Sequence, residues 1–576
     1  MGVRTRKAAL GLLMLILTFS IFASACSKNG NNEGSSSSSA SPRASGSSPE
    51  ASASESDSPE ATVEPFTISL FTAATGPIPT DDNKIYKEIK EQLGVTLKEE
   101  YLVGDIEQKL GVMIAGGDYP DMITANTKLT AAKAVIPLED LIEQNAPNLK
   151  KIFGKVWEQL KDPADGHIYW LPNYGVYQGE FKPTDYMGPA FYIQKAILKE
   201  YGFPKIKTLD EYFKLIEDYA AKYPEIDGQP TIGFSSLAFD WRDWGLRNAP
   251  QHLAGHPNDG GVLVDPNTNV ATLFAATDTA KPYYNKLNEI NAKGLMDKEA
   301  FAQNYDQYLA KVSSGRVLGM FDQRWNFGQA HDSLISQGKF DRTYVGFPLV
   351  YDVNTKDYYL DRPPINLGNG FGITVNAEDP VKVIKFIDTM VSEKWQKRLS
   401  WGEEGVDYLV GDNGLYYRTP EMRKQQEDVT WKQQYKAESL WGYLPKLEGN
   451  YPDGNADGPG NQPDEFFANL KDIDKELLTA YGFKTWTDFF SSPPENRVSY
   501  PAWNIDLIEG SPAKVANQKM KDLDFKYLPK AILSKPDKFE EVWSDYVGQM
   551  GKVDTQAYLD RVNEQLKWRT DTWTSK

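Results

Sequence analysis

Cysteine is nearly absent: Cys26 is the only one in 576 residues. A disulfide within the chain is therefore excluded, and a body of this size has to be held by its apolar core. Histidine is scarce as well, with four residues, of which only His252 and His256 fall close together. Their segment, QHLAGHP, has the i, i+4 spacing of a metal pair, but its Gly and Pro favour a loop over the helix face such a pair needs. There is no Walker P-loop, no H-E-x-x-H and no G-x-S-x-G, and GNGFG at 368–372 lacks the third spaced glycine of a dinucleotide-binding turn. Positive charge is in deficit, 63 Lys and Arg against 80 Asp and Glu; the net charge of −17 argues against nucleic acid or an anionic lipid surface as partner. Beyond the N-terminus no apolar run approaches the ~20 residues needed to span a bilayer.

What the chain has begins at that terminus. Arg4, Arg6 and Lys7 precede an apolar run from Ala8 to about Phe22 and then the small residues Ala23, Ser24 and Ala25, which is the layout of a secretory signal peptide over 1–25. A cysteine directly after such a run resembles the bacterial lipobox, although Ala23 stands where that pattern prefers Leu. The resemblance implies that the Cys26 thiol carries lipid, palmitate among its acyl chains; the alternative is an ordinary signal peptide followed by a free thiol. Residues 26–62 are Ser, Ala, Gly, Pro, Asn and Glu with almost nothing apolar, so a disordered tether is expected behind the lipidated cysteine.

The rest is long enough for two or more lobes with sizeable cores. PFTISLFT reads as a strand, NKIYKEIKEQLG as a helix stopped at Gly94, and VTLKEEY as a second strand, an order that indicates an α/β layer with a parallel sheet. Ile106, Leu110, Met113 and Ile114 share one helix face before the Gly116–Gly117 stop. Thr208 and Glu211 have capping-box spacing ahead of Phe213, Leu215 and Ile216. Asp379–Pro380 marks a helix start followed by a stripe of Val381, Ile384, Ile387 and Val391. Trp157, Trp395, Trp543 and Trp568 lie in helical patterns and are expected in the core.

Several segments resemble, in order, those of one family. They are GVMIAGGDYPDMI, PADGHIYWLPNY, AFYIQKAILKEYGFPKIKTLDEYFKLI, NAKGLMDKEAF, KVSSGRVLGMF and LSWGEEGVDYLV, covering roughly 65 to 410. The family is that of the bacterial extracellular solute-binding lipoproteins of ABC importers, of the carbohydrate-binding, LplA/LipO-like type. The resemblance implies a two-lobed periplasmic-binding-protein-like α/β fold of type II, with the lobes joined by a multi-strand hinge and the ligand cleft between them. Lobe I would comprise 63–180 and 366–400, and lobe II 181–365 and 401–576. It also implies a protein that is not an enzyme and a membrane permease as partner. Its output would be a population shift to a closed state when ligand touches both lobes.

Sugars present apolar faces that stack on aromatic rings and hydroxyl rims that need polar partners. With 14 Trp and 31 Tyr the chain is well supplied, and four segments pair rings with polar groups. FDWRDWGLRN offers Trp241, Asp243 and Trp244, the indoles spaced for one side of a helical turn. MFDQRWNFG offers Asp322, Arg324 and Trp325 directly after a strand, where ligands sit in open α/β sheets. SWGEEGVDY offers Trp401, Glu404 and Asp407, and YWLPNYG offers Tyr174 at the expected first hinge crossing. The bland alternative for each Trp is core packing. Separately, DGNADGPGNQPD at 453–464 has calcium-loop spacing, with Asp453, Asn455, Asp457 and Asp464 as oxygen ligands; it departs by Asp464 in place of Glu and by Gly460 at the apolar position.

The expectation is a monomeric, lipid-anchored receptor on the extracellular face of the bacterial cytoplasmic membrane. It would capture an oligosaccharide or other carbohydrate and deliver it to permease subunits that use a separate ATPase. No cofactor is required, with calcium as a candidate ion; nucleic acid is not a partner, and the membrane is contacted through the anchor only. The rivals are a secreted glycoside hydrolase or polysaccharide lyase, which would need two carboxylates about 5–10 Å apart, a peptide receptor of the same fold, and a purely structural lipoprotein.

Overall fold

The strand Phe66–Thr72 turns Ile68, Leu70 and Phe71 inward, and the rest of the first lobe is assembled around it. It pairs in parallel with Val95–Tyr101, Phe66 opposite Val95, and on its other side with Met122–Thr124, Leu70 opposite Met122. The fourth strand, Phe371–Ile373, arrives from far along the chain and joins antiparallel, Gly372 opposite Ile123. Local chemistry sets the helices between them. Asn83 accepts from the backbone N–H of Ile85 and Tyr86 at the start of Lys84–Leu93, and Gly94 ends that helix at φ 69°, a cap that contributes on the order of 1 kcal/mol. The computed structural model describes residues 64–573 apart from 74–76, 163, 179–182 and 496. The signal peptide, Cys26 and the tether expected over 1–62 lie outside the described residues.

Leu110 and Met113 are buried with Ile106 and Ile114 packed beside them, as the helix periodicity requires. The helix Pro380–Met390 starts at Asp379, whose carboxylate accepts from Lys382 N. Its buried face runs through Val383, Ile384 and Ile387, while Val381 is exposed. The expected stripe is thus corrected at its first position, because the buried face is centred on Val383, Ile384 and Ile387 and leaves Val381 at its margin.

The second lobe has its own four-stranded sheet, in the order Tyr344–Phe347, Pro189–Gln194, Val317–Gln323, Ile232–Ser235. Tyr192 lies opposite both Met320 and Gly346 in antiparallel ladders, and Ile232–Ser235 runs parallel to Val317–Gln323. The Thr208–Glu211 capping box is formed, and Phe213 and Ile216 enter the core. Three long C-terminal helices, Pro512–Leu533, Phe539–Met550 and Thr555–Trp573, contribute Tyr527, Leu528, Trp543, Tyr546 and Leu566 to the same core. Trp568 is 47% exposed, a correction to its expected burial. A second correction concerns the last third of the chain, expected to lie wholly in the second lobe. Ala437, Leu440, Tyr443 and Leu444 belong to the first lobe's core instead, packed with Ile387 and Trp395. The chain joins the second lobe's core only by Leu477.

Three stretches therefore connect the cores, their described residues being 172–178 with 183–188, 361–370 and 445–476. They hold each other closely. Glu448 pairs with Tyr177, its carboxylate accepts from Gly175 N at 2.6 Å, and Leu171 bridges to Phe371. Gly370, at φ 109°, lies so close to the Leu171 carbonyl that a Cβ would sit 2.0 Å from its oxygen. Only glycine meets both that φ and that approach.

Candidate functional site

Where the three crossing segments separate the two cores, a cleft of about 890 Å³ opens. Its second-lobe wall begins at the end of the buried strand Val317–Gln323. The next residues leave the sheet and expose Trp325, 43% accessible, whose Nε1 donates to Gln323 Oε1 at 2.7 Å and fixes the ring. Trp241 lies parallel to Trp325, with centroids 5.8 Å apart and an interplanar angle of 5°, and is itself 60% exposed. Trp244 leans on Trp325 at 45°, and the Arg242 guanidinium covers Trp241 and Tyr305. The result is an aromatic ledge beside the cleft, stiffened by cation–π contacts.

On the first-lobe side Tyr174 lines the cleft, and its hydroxyl accepts from Asn366 and Asn369, each at 3.0 Å. Those two asparagines also line it and present amide groups at the same rim. The acidic candidates play other parts. Asp322 is buried behind the strand end, where it accepts from Tyr308, from Gln323 N at 2.6 Å and from Asn326 at 3.0 Å; burial pushes its carboxyl up to about 6. It anchors the loop that carries Trp325. Asp243 is buried in an ion pair with Arg247 at 2.7 Å, and Arg324 reaches Asp332 at 3.4 Å and the face of Phe327.

The segment around Trp401 requires a correction. Trp401 is 0% exposed; its Nε1 donates to the Ala456 carbonyl at 2.8 Å, and its ring packs on Tyr408, Tyr416 and Tyr451. Asp407 is buried beneath it, accepting from Glu403 N at 2.8 Å, while Glu404 faces solvent. None of the three lines the cleft.

The calcium spacing at 453–464 is likewise not assembled. Asp453 is taken by Lys397 at 2.6 Å and Tyr416 at 3.0 Å, and Asn455 Oδ1 accepts from Tyr416 N at 2.7 Å. Asp457 accepts from Gly449 N and Asn461, and Asp464 turns to Lys484 at 2.6 Å. Among the described residues no three His, Cys, Asp or Glu are grouped to hold a metal ion. The oxygens that the spacing supplies are spent on holding the loop, so the residues do not fit the ion as a chelate.

The cleft also recruits residues that the sequence did not single out. Asp361 is 7% exposed; its Oδ1 accepts from Arg362 N at 2.8 Å, its buried Oδ2 has no partner, and burial raises it to about 6. Trp503 stands edge-on to Tyr500 at 5.2 Å, and its buried Nε1 is also without a partner. Tyr500 and Asn504 both sit at φ 49°, a left-handed conformation that non-glycine residues hold at a cost and that recurs at binding sites. The signal was present in SYPAWN, residues 499–504, which has the same ring-plus-amide chemistry as the segments chosen. No Lys, Arg or His occurs among the described residues lining the cleft, whereas Asp185, Asp361, Glu448 and Asp457 do. Rings for stacking, amides and carboxylates for hydroxyl groups, and no cation to attract an anion together favour a neutral, hydroxyl-rich ligand.

A family described as bacterial extracellular solute-binding protein matches residues 84–402, more than half of the chain. A curated relative, the fructooligosaccharide ABC transporter substrate-binding protein FusA of Streptococcus pneumoniae serotype 4, is 30% identical over 268 residues; the match covers 42% of this chain and 47% of the relative, about half its length. Among solved structures, a FusA EF-hand mutant from S. pneumoniae in complex with fructo-nystose superposes with a TM-score of 0.57 at 19% identity, covering 88% of this chain and 100% of that one. An HMO-binding, ABC-transporter-associated solute-binding protein from Bifidobacterium longum infantis gives 0.59 at 16% identity, covering 89% and 100%. The neighbours share the two-lobed α/β architecture of type II solute-binding proteins. By sequence and by fold, this chain belongs to the bacterial extracellular solute-binding proteins.

Proposed function

We propose that this protein captures a neutral oligosaccharide between its lobes and delivers it to the permease of an ABC importer that uses a separate ATPase subunit. The observation that carries the reading is the cleft's lining. The Trp325 and Trp503 rings stand beside an unpaired acceptor, Asp361 Oδ2, and an unpaired donor, Trp503 Nε1. A buried polar atom without a partner costs about 1–3 kcal/mol, and a hydroxyl group, which both donates and accepts, relieves either. The Trp241–Trp325 ledge extends the stacking surface outward and favours a chain of several sugar units over a monosaccharide. FusA, described as a fructooligosaccharide-binding protein, supports a sugar of this class.

The protein works as a clamp and not as an enzyme: ligand bridging Tyr174 and Asn366 on one side and Trp325 on the other favours the closed state, which the permease reads. It acts as a monomer, held at the outer face of the cytoplasmic membrane by lipid on Cys26, and the clamp needs no cofactor. Thermal unfolding of the body lacking residues 1–62, with fructooligosaccharides, other neutral oligosaccharides, monosaccharides, acidic sugars and short peptides, tests the reading. A neutral oligosaccharide at a hundred times its Kd raises stability by ~2.7 kcal/mol without product being formed. Stabilisation by peptides alone, or consumption of the sugar, overturns it in favour of a peptide receptor or a hydrolase.

A further inference from the structure

Behind the first-lobe wall of the cleft lies a second cavity of about 420 Å³. The two spaces share Glu448, Asp457 and Asn461 as a partition. They differ in their basic residues, although Glu438, Glu448 and Asp457 also line the cavity. The cleft has no described basic residue, whereas the cavity is lined by Arg418, Lys432, Lys436 and Lys446. Two of these charges are neutralised by the protein: Arg418 pairs with Glu465 at 3.0 Å and Lys432 with Glu438 at 3.0 Å.

Lys436 and Lys446 have no such direct partner, although Asp407 and Glu438 favour the charge of the first from farther off, and Glu448 and Asp457 that of the second. Lys436 is 9% exposed, and among the described residues its ammonium donates to the Trp401 carbonyl at 3.4 Å. Lys446 reaches two carbonyls, of Asn173 at 3.3 Å and Gly442 at 3.5 Å. Both lie beside indole faces, Lys436 near Trp431 and Lys446 near Trp441. Among the described residues no carboxylate comes within ion-pair distance of either. An ammonium has three N–H donors, and burial without an adjacent counter-charge is costly enough that such groups ordinarily acquire one. Here burial lowers both to about 8, so at neutral pH each still carries a proton into a cavity with room for an anion.

We propose that this cavity is an oxyanion site: it binds a phosphate, sulfate or carboxylate group between Lys436 and Lys446, on the far side of the Glu448–Asp457 partition from the cleft. The oxyanion accepts charge-assisted hydrogen bonds from both ammonium groups, the arrangement expected to be strong where water is scarce. Glu448 connects this site to the hinge, since the same carboxylate accepts from Gly175 N in the first crossing segment. The proposal does not depend on which sugar occupies the cleft.

Binding is measured by calorimetry and thermal unfolding on the body from residue 63, without any oligosaccharide and at constant chloride-balanced ionic strength. The probes are inorganic phosphate, sulfate and methyl glucuronide, with methyl glucoside as the neutral reference. One saturable site is expected for at least one anion and none for methyl glucoside. A site for free ions prefers phosphate or sulfate; a site for an acidic substituent prefers the glucuronide. Lys436→Gln and Lys446→Gln each weaken binding by about tenfold or more, whereas Lys424→Gln, on the exposed surface, leaves it unchanged. Lys436→Met separates this role from a structural one: replacing an unpaired buried charge by an apolar chain raises the melting temperature of the free protein while abolishing the anion response. A fall in that temperature with an unchanged response, a response retained in both Gln variants, or no saturable binding of any probe overturns the proposal. Any of these leaves sugar binding in the cleft to be judged by its own titration.

Discussion

Two segments that each join a tryptophan to acidic residues have opposite fates in this protein. DQRW, 322–325, places Trp325 on the wall of the cleft; WGEEGVD, 401–407, places Trp401 wholly inside a small cluster with Tyr408 and Tyr451. The first lies at the end of a strand that opens toward the space between lobes, so its ring stays 43% exposed on the cleft wall even with Trp241 and Trp244 against it. The second follows the helix Glu393–Ser400 and is closed over by Ala456 and Tyr451, some fifty residues onward. An indole with a polar neighbour is thus a ligand platform only where the chain leaves one of its faces uncovered.

The sharpest test of that contrast is Trp401→Ala, which should cost about 3–5 kcal/mol in denaturant unfolding through the cavity it leaves. If ligand affinity falls while stability is unchanged, Trp401 belongs to the site and the contrast is broken. Next in size is a pH effect at Asp361, the cleft carboxyl that burial raises to about 6. Because its folded pKa lies above its unfolded value, the stability it contributes is complete below about pH 4 and is lost as pH rises through about 6. Asp361→Asn should therefore gain up to about 2 kcal/mol on the native protein between pH 4 and pH 7 while binding sugar more weakly. A stability difference that stays constant across that range refutes the assignment. Trp325→Ala should change stability by about 1 kcal/mol or less, since the ring is half exposed, but should lower oligosaccharide affinity about tenfold in calorimetry. Equal losses of affinity for a monosaccharide and an oligosaccharide would detach the ledge with Trp241 from chain-length preference. The smallest effect belongs to the 453–464 loop: calcium or a chelator should leave the melting temperature where it is. A rise with calcium that Asp457→Asn removes would restore the chelate.

Local features were legible because they depend on neighbours in sequence. The Thr208–Glu211 capping box, the Asp379–Pro380 helix start and the Gly94 stop are decided within one turn of backbone. Tyr174 and Trp325 were legible as candidates through their residue type and their place after a strand or at a crossing. Asp361, Trp503 and Asn504 were not singled out: SYPAWN has the residue types, but these residues reach the cleft on segments from distant parts of the chain, and nothing in DRPP or SYPAWN alone says what stands opposite. The calcium spacing shows the converse: four oxygens in the right order, each already taken by a hydrogen bond or ion pair that only the folded loop creates.

By itself the sequence determined the alternation of strands and helices, the exclusion of disulfides and known catalytic motifs, and a stock of rings, amides and carboxylates suited to a sugar. Those follow from backbone propensity, composition and spacing, which are properties of short stretches. Tertiary structure decided which lobe the residues after 400 join, which tryptophans keep a bare face, and that the basic side chains gather behind the cleft wall while its lining stays acidic. Burial and charge environment depend on what packs against a residue from hundreds of positions away, and no local pattern carries that information.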